Sequence, residues 1–407
     1  MHEFPVIILL VLATFVFGLF SKALERTPVT APMIFVSLGA LAGPLGFNLV
    51  EFSLDDQLIR VIAEITLVSI LFVEASTIDL RKLLREKEIP ARLLLIGLPI
   101  TMLVGTLVAA PLFPQLGWWA LALMAFILSP TDAALGQAVV NSPLVPERLR
   151  QAINVESGIN DGLVLPPILF CMAALAQAAG DNRDATYWID FTTGQLIIGP
   201  LAGALVGWLG GWAVDYCSRH RMMNATFQRL SAISLAILCW ALAEEFHGNG
   251  YIAAFFGGLL LDTRTHAVRE RIQEYGEAEG QQLSLFIFLI FGLAMLPAAQ
   301  ELWTWQSWAY ALLSLTFIRI LPVMLSLTGT SLSARERSFI GWFGPRGIAS
   351  ILYLEMVIID LGDSGLREVL SVVVLTVLLS VFLHGASAAP AAKLFSRNKT
   401  PAKQTAD

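Results

Sequence analysis

The chain has 407 residues, 56% of them hydrophobic and 14% charged, with a formal net charge of −6. Soluble domains carry about 25% charged residues, so the charge deficit selects a membrane protein and excludes an ordinary soluble enzyme. The acidic balance is unevenly spread and carries no implication of a nucleic-acid partner.

A bilayer crossing needs about 20 mostly apolar residues. In chain order, thirteen candidate spans lie near residues 4–24, 29–50, 58–78, 93–113, 118–140, 151–177, 191–215, 228–246, 249–262, 282–300, 304–330, 337–360 and 366–389. The first is kept as a span rather than a signal peptide, because Met1-His2-Glu3 supplies no basic residue and no small-residue cleavage site precedes Pro28. With the N-terminus outside, inside loops and the tail collect 21 of the 26 Lys and Arg residues. That bias fixes a cytoplasmic C-terminus. Residues 1–390 read as one membrane domain and 391–407 as a short cytoplasmic tail. The polar stretch Thr263–Gln281 reads as an inside loop with a solvated face, or an interfacial helix. Cys171, Cys217 and Cys239 sit at no metal or redox spacing and read as small apolar residues.

Glu64 and Glu74 (span 3), Asp132 (span 5), Glu156 and Asp161 (span 6), Arg319 (span 11) and Arg346 (span 12) lie inside apolar segments. Glu244, Glu245 and Glu355 fall near span ends, where solvation is expected. A charge in a bilayer costs several kcal/mol or more, so seven such residues imply a water-accessible cavity with a function. In Glu156-Ser157-Gly158-Ile159-Asn160-Asp161, helical spacing puts Ser157 with Asp161 on one face and Glu156 with Asn160 on the next.

Spans 5 and 12 carry helix breakers at mid-depth, Ser129-Pro130-Thr131-Asp132 and Gly344-Pro345-Arg346-Gly347. Irregular backbone persists in a membrane only against protein or a water-filled cavity, and paired interruptions point to a transporter's binding site. The anion Asp132 suits the positive N-terminal end of a broken helix, and the cation Arg346 the negative C-terminal end. Spans 5 and 12 are therefore expected to cross. Spans 1–6 and 8–13 would form an inverted repeat with span 7 as linker. The fold class is an all-α polytopic membrane protein.

Burial disfavours the ionised form of Asp161, so near neutral pH a proton and a small cation would compete for one carboxylate. That competition is sufficient for exchange. Na⁺ needs several oxygens, which carboxylates, Thr131 or Ser157, an unwound carbonyl and water could supply. Asn160 cannot carry a proton, so one cation would exchange for one proton, electroneutrally.

Ile70-Leu71-Phe72-Val73-Glu74, Ser129-Pro130-Thr131-Asp132, Glu156-Ser157-Gly158-Ile159-Asn160-Asp161 and Gly344-Pro345-Arg346-Gly347 together resemble the monovalent cation:proton antiporter-1 family, in its NhaP-type Na⁺/H⁺ branch. The resemblance covers essentially the whole chain. It implies a homodimer in the cell inner membrane, an elevator-like motion of a six-helix core, and a role in pH homeostasis. It implies no cofactor beyond the transported Na⁺ (or Li⁺) and H⁺. By it, Asp161 is the exchanging carboxylate, with Asp132, Thr131, Ser157 and Glu74 around the Na⁺. Glu156 would pair with Arg346, Asn160 would support the site, and Arg319 would balance charge. The Asn-Asp pair is the electroneutral branch's pattern. Ala75-Ser76-Thr77 departs from the family's more Gly-rich continuation of span 3. A K⁺/H⁺ antiporter on the same scaffold is the nearest rival. A channel would not need a buried titrating acid. An intramembrane aspartyl protease would need a Gly-x-Gly-Asp motif, which Gly158-Ile159-Asn160-Asp161 is not. Zinc-helix and Walker motifs are absent, and the histidines (2, 220, 247, 266 and 384) fall mostly in loops.

Overall fold

A computed structural model describes residues 3–24, 27–49, 57–78, 88–140, 142–178, 185–261, 265–362 and 366–396. Every regular element among them is helical. In chain order these are α1 (Glu3–Leu24), α2 (Ala31–Ala42), α3 (Gln57–Thr77), α4 (Glu88–Leu112), α5 (Trp118–Ile127), the short α6 (Gln137–Val140) and α7 (Glu147–Ala178). Then come α8 (Asp190–Arg219), α9 (Ala225–Glu245), α10 (Gly250–Leu259), α11 (His266–Gln300), α12 (Trp305–Leu315), α13 (Phe317–Ser326), α14 (Ala334–Trp342), α15 (Ile348–Leu361) and α16 (Arg367–Ser396). Eight described helices are long and apolar enough to cross a membrane, so the chain is a multi-pass membrane protein. The basic residues expected at Arg26, Arg81, Lys82, Arg85, Lys87, Arg183 and Arg264, and the tail from Arg397, lie outside the described residues. α16 runs past residue 390 to Ser396, so the expected start of the tail is helical.

The helices gather into two groups that pack more densely within than between. One contains α2, α3 and α8 to α11; the other contains α4, α5, α7 and α12 to α16. Small residues let backbones meet in the first group, as membrane packing favours. A Cβ on Gly203 would lie 2.0 Å from the carbonyl oxygen of Ala253, and one on Gly258 2.0 Å from that of Phe72. This close fit explains why α10 can be only 10 residues long: at 1.5 Å per residue it covers about half a bilayer's ~30 Å hydrocarbon core, so it lies sheathed by α3, α8 and α9. Ile8, Leu12, Phe15 and Leu19 of α1, and Leu201, Leu205 and Trp208 of α8, are exposed, as befits a lipid-facing surface.

One expectation is corrected. Of the stretch Thr263–Gln281, residues 266–281 are helical and continuous with a membrane span in α11, so the solvated-loop reading gives way to a helix that is not a separate interfacial one. Val268, Ile272 and Gly276 form its buried stripe, and Gly276 abuts Val73 of α3. Packing on one face thus carries the helix through a highly charged sequence. π-helical turns occur at Leu93–Gly97, Gly194–Ile198 and Phe291–Met295, each ending two residues before a proline (Pro99, Pro200, Pro297). A proline has no N–H for the i−4 carbonyl, and the π turn absorbs that lost bond.

Candidate functional site

The site is assembled where two helices stop in mid-protein. α5 ends at Ile127, and the backbone of Ser129–Asp132 is irregular before a 3₁₀ turn at Ala133–Gly136. Pro130 donates no amide, and the Ser129 hydroxyl bonds back to Ala125 O at 2.7 Å. α14 ends at Trp342, and Phe343–Gly347 is irregular before α15 begins.

The two breaks are stitched together. The Asp132 amide donates to Pro345 O at 2.9 Å. The Ile348 amide donates to Asp132 Oδ2 at 3.1 Å, so an anion meets the positive N-terminal end of α15. The Arg346 guanidinium donates to Ser129 O at 2.8 Å and Pro130 O at 3.0 Å, so a cation meets the carbonyls left free at the end of α5. Gly347 is required, because a Cβ there would sit 2.0 Å from Asp132 Oδ2.

α7 lies against this crossing. Ser157 Oγ donates to Thr131 O, and Asn160 Nδ2 donates to Thr131 Oγ1 at 2.8 Å. Thr131 is thus gripped at both its carbonyl and its hydroxyl. The Asp161 and Glu74 side chains approach each other, with Asp132 near enough to act on both electrostatically. Tyr353 of α15 donates its hydroxyl to Asp161 O at 2.8 Å. Three enclosed oxygens here, Asp161 Oδ1, Glu74 Oε2 and Asn160 Oδ1, have no hydrogen-bond partner. All three are acceptors, so the arrangement suits a cation or a proton. Among the described residues no three His, Cys, Asp or Glu side chains form a metal-binding group by themselves. A cation here would therefore draw on hydroxyl and carbonyl oxygens as well.

One expected pairing differs. Glu156 does not pair with Arg346. It takes two bonds from Arg319, at 2.6 and 2.8 Å, with both residues about 2% exposed. Arg346 turns instead to the Ser129 and Pro130 carbonyls in the break after α5. Asp132, read as an ion ligand, has Oδ2 engaged in capping α15. Glu355, expected near solvent, is 2% exposed. Glu64 acts electrostatically on Tyr251, as do Asp360 and Glu244. Sequence reasoning passed over Tyr353 and over Ser350, whose hydroxyl donates to Ile127 O at 2.7 Å. Their i,i+3 spacing on the half-helix after Gly347 was the available signal.

Residues 8–394 match the family model described as sodium/hydrogen exchanger, transmembrane. The chain belongs to this family. Its members are transporters rather than enzymes. The K(+)/H(+) antiporter NhaP2 of Shewanella sp. (strain ANA-3) is 26% identical over 379 residues, 92% of this chain. The chain spans 64% of that relative's length. The Na(+)/H(+) antiporter of Schizosaccharomyces pombe is 24% identical over 363 residues, which is 82% of this chain and 75% of that protein. In fold, the family member at hand is similar to the sodium proton antiporter MjNhaP1 from Methanocaldococcus jannaschii at pH 8. The TM-score is 0.78 at 22% identity, with 97% of this chain and 99% of that one covered.

Proposed function

We propose that this chain is a secondary active antiporter of the cell inner membrane that exchanges Na⁺ (or Li⁺) for H⁺ with a single titrating carboxylate, Asp161. The observation that carries the reading is the trio of enclosed acceptor oxygens at Asp161, Glu74 and Asn160. Buried acceptors without donors are costly, and either a proton or a hard cation relieves that cost. The two cargoes therefore compete for one place. Thr131 and Ser157 would supply further oxygens, Asp132 would add negative field from its capping position, and the Glu156–Arg319 pair and Arg346 would hold the frame. Asn160 carries no proton, so exchange is one for one and electroneutral.

The topology we infer has thirteen spans across residues 1–390, an inverted repeat of spans 1–6 and 8–13, an outside N-terminus and a cytoplasmic tail. Its support is the Lys and Arg asymmetry and the paired breaks at Pro130 and Pro345. The two separately packed helix groups suit a core moving against a scaffold, with the scaffold as the dimer-forming part. The test is a pH-dye assay in proteoliposomes, titrated separately with Na⁺, Li⁺ and K⁺. Asp161→Asn is expected to abolish exchange, and wild-type rates in that variant would overturn the mechanism. A K⁺/H⁺ preference is the second reading, supported by the Shewanella relatives that bear that name. Larger initial rates with K⁺ than with Na⁺ would select it.

A further inference from the structure

α16 braces both sides of the second break. Ser380, His384 and Ser387 recur at i, i+4 and i+7 and so form one stripe on it. On the far side of the break, the Arg346 amide donates to Ser380 Oγ at 2.7 Å. On the near side, Trp342 Nε1 donates to Ser387 Oγ at 3.0 Å. The Trp342 ring lies 5.1 Å from the His384 ring. His384 sits between these two attachments, 1% exposed.

The imidazole meets Ser380 through Nδ1. Ser380 Oγ already accepts from Arg346, so its own proton needs an acceptor. His384 Nδ1 lies 3.1 Å away. Nδ1 also lies 3.2 Å from Ser380 O, so one tautomer takes the Ser380 hydroxyl proton and the other donates to the Ser380 carbonyl; either way the ring is tied to Ser380. The ring's other backbone neighbour is Trp342, and its tie to Ser380 runs through Nδ1. Arg346 and Arg319 are the charged groups that act on the ring.

We propose that His384 is a positioning residue for transport. Through Ser380 it orients the Arg346 amide, and with it the Pro345–Ile348 turn that receives the Asp132 amide and caps onto the Asp132 carboxylate. A loosened turn would shift Asp132, and so the field at Asp161 and Glu74, without removing a cargo ligand.

The test uses the full-length protein with His384→Leu, His384→Asn, Ser380→Ala and the His384→Leu/Ser380→Ala double variant. Asn can present an oxygen where Nδ1 stands; Leu cannot. Hydrogen–deuterium exchange of the peptide covering 343–350 reads the positioning directly and holds whatever the cargo is. His384→Leu and Ser380→Ala should each speed exchange there by about tenfold, the double variant by no more than either, and His384→Asn hardly at all. The transport arm rests on the antiport reading above. There the Leu and Ala variants should raise the cation KM several-fold at unchanged melting temperature, and Asn should restore it. Unchanged exchange in His384→Leu, or additive effects in the double variant, would overturn the proposal. Altered exchange in a protein whose wild type moves none of the three cations would count against the antiport reading alone.

Discussion

Asp132 and Ile348 stand 216 residues apart, yet the carboxylate of one receives the first amide of the helix that the other begins. Gly347 makes room for that contact, since a Cβ there would lie 2.0 Å from the carboxylate. Gly347→Ala is therefore expected to destabilise the protein by about 1–3 kcal/mol, the range of core overpacking, and to lower transport. A thermal-shift measurement in detergent checks the first part. An unchanged midpoint would mean that Asp132 does not sit there.

The buried pair of Glu156 and Arg319 predicts an asymmetric set of mutants. Glu156→Ala leaves a guanidinium stranded in a dry interior and should cost about 3–5 kcal/mol, seen as a lower melting temperature and yield. Glu156→Leu combined with Arg319→Met removes both charges and should recover most of that stability. If the double variant melts with the single ones, Glu156 answers to some other partner.

Gly162, next to Asp161, presses against Phe255 of α10, so α7 of one helix group touches the other group there. A Cβ on Gly162 would meet the Phe255 ring at 2.3 Å. Gly162→Ala should slow turnover more than it weakens cation binding, because it wedges two surfaces that would move past each other in the proposed mechanism. Adding Phe255→Leu should restore the rate. Equal losses with and without the second change would place the fault elsewhere.

Competition at one carboxylate has a pH signature. Where the site is mostly protonated, each unit of falling pH should raise the apparent cation KM by about tenfold, because one proton must leave for each cation bound. The maximal rate should respond little to a clamped membrane voltage. A slope nearer two decades per unit, or a clear voltage dependence, would implicate Glu74 as a second exchanging group.

Much of this was legible in the sequence because a charge or a proline inside an apolar run is costly and therefore conspicuous. Pro130, Pro345, Asp132 and Arg346 announced two interrupted helices and the sign of the charge each end needs. Partner choice was less legible. Glu156 had two buried arginines to choose from, and Arg346 stood beside a motif, whereas Arg319 sits in Phe317-Ile318-Arg319-Ile320 with nothing to mark it. The carbonyls exposed at the end of α5 occupy Arg346, a demand that exists only once the break has a shape. The polar start of α11 looked like a loop because its helix is held by a thin buried stripe, Val268, Ile272 and Gly276, that charge content obscures. His384 escaped notice because a lone histidine in an apolar helix shows its worth only through its neighbours.

The fixed charges around the crossing cancel in couples: Glu156 against Arg319, and Asp132 against Arg346 through the two helix ends they occupy. What is left is the Glu74–Asp161 couple, two neighbouring acids. The scaffold at the crossing thus brings almost no permanent charge of its own into the membrane's field. A core that travels would do so as a nearly neutral body, and the electrical bookkeeping of each crossing would be set by whichever ion Asp161 holds.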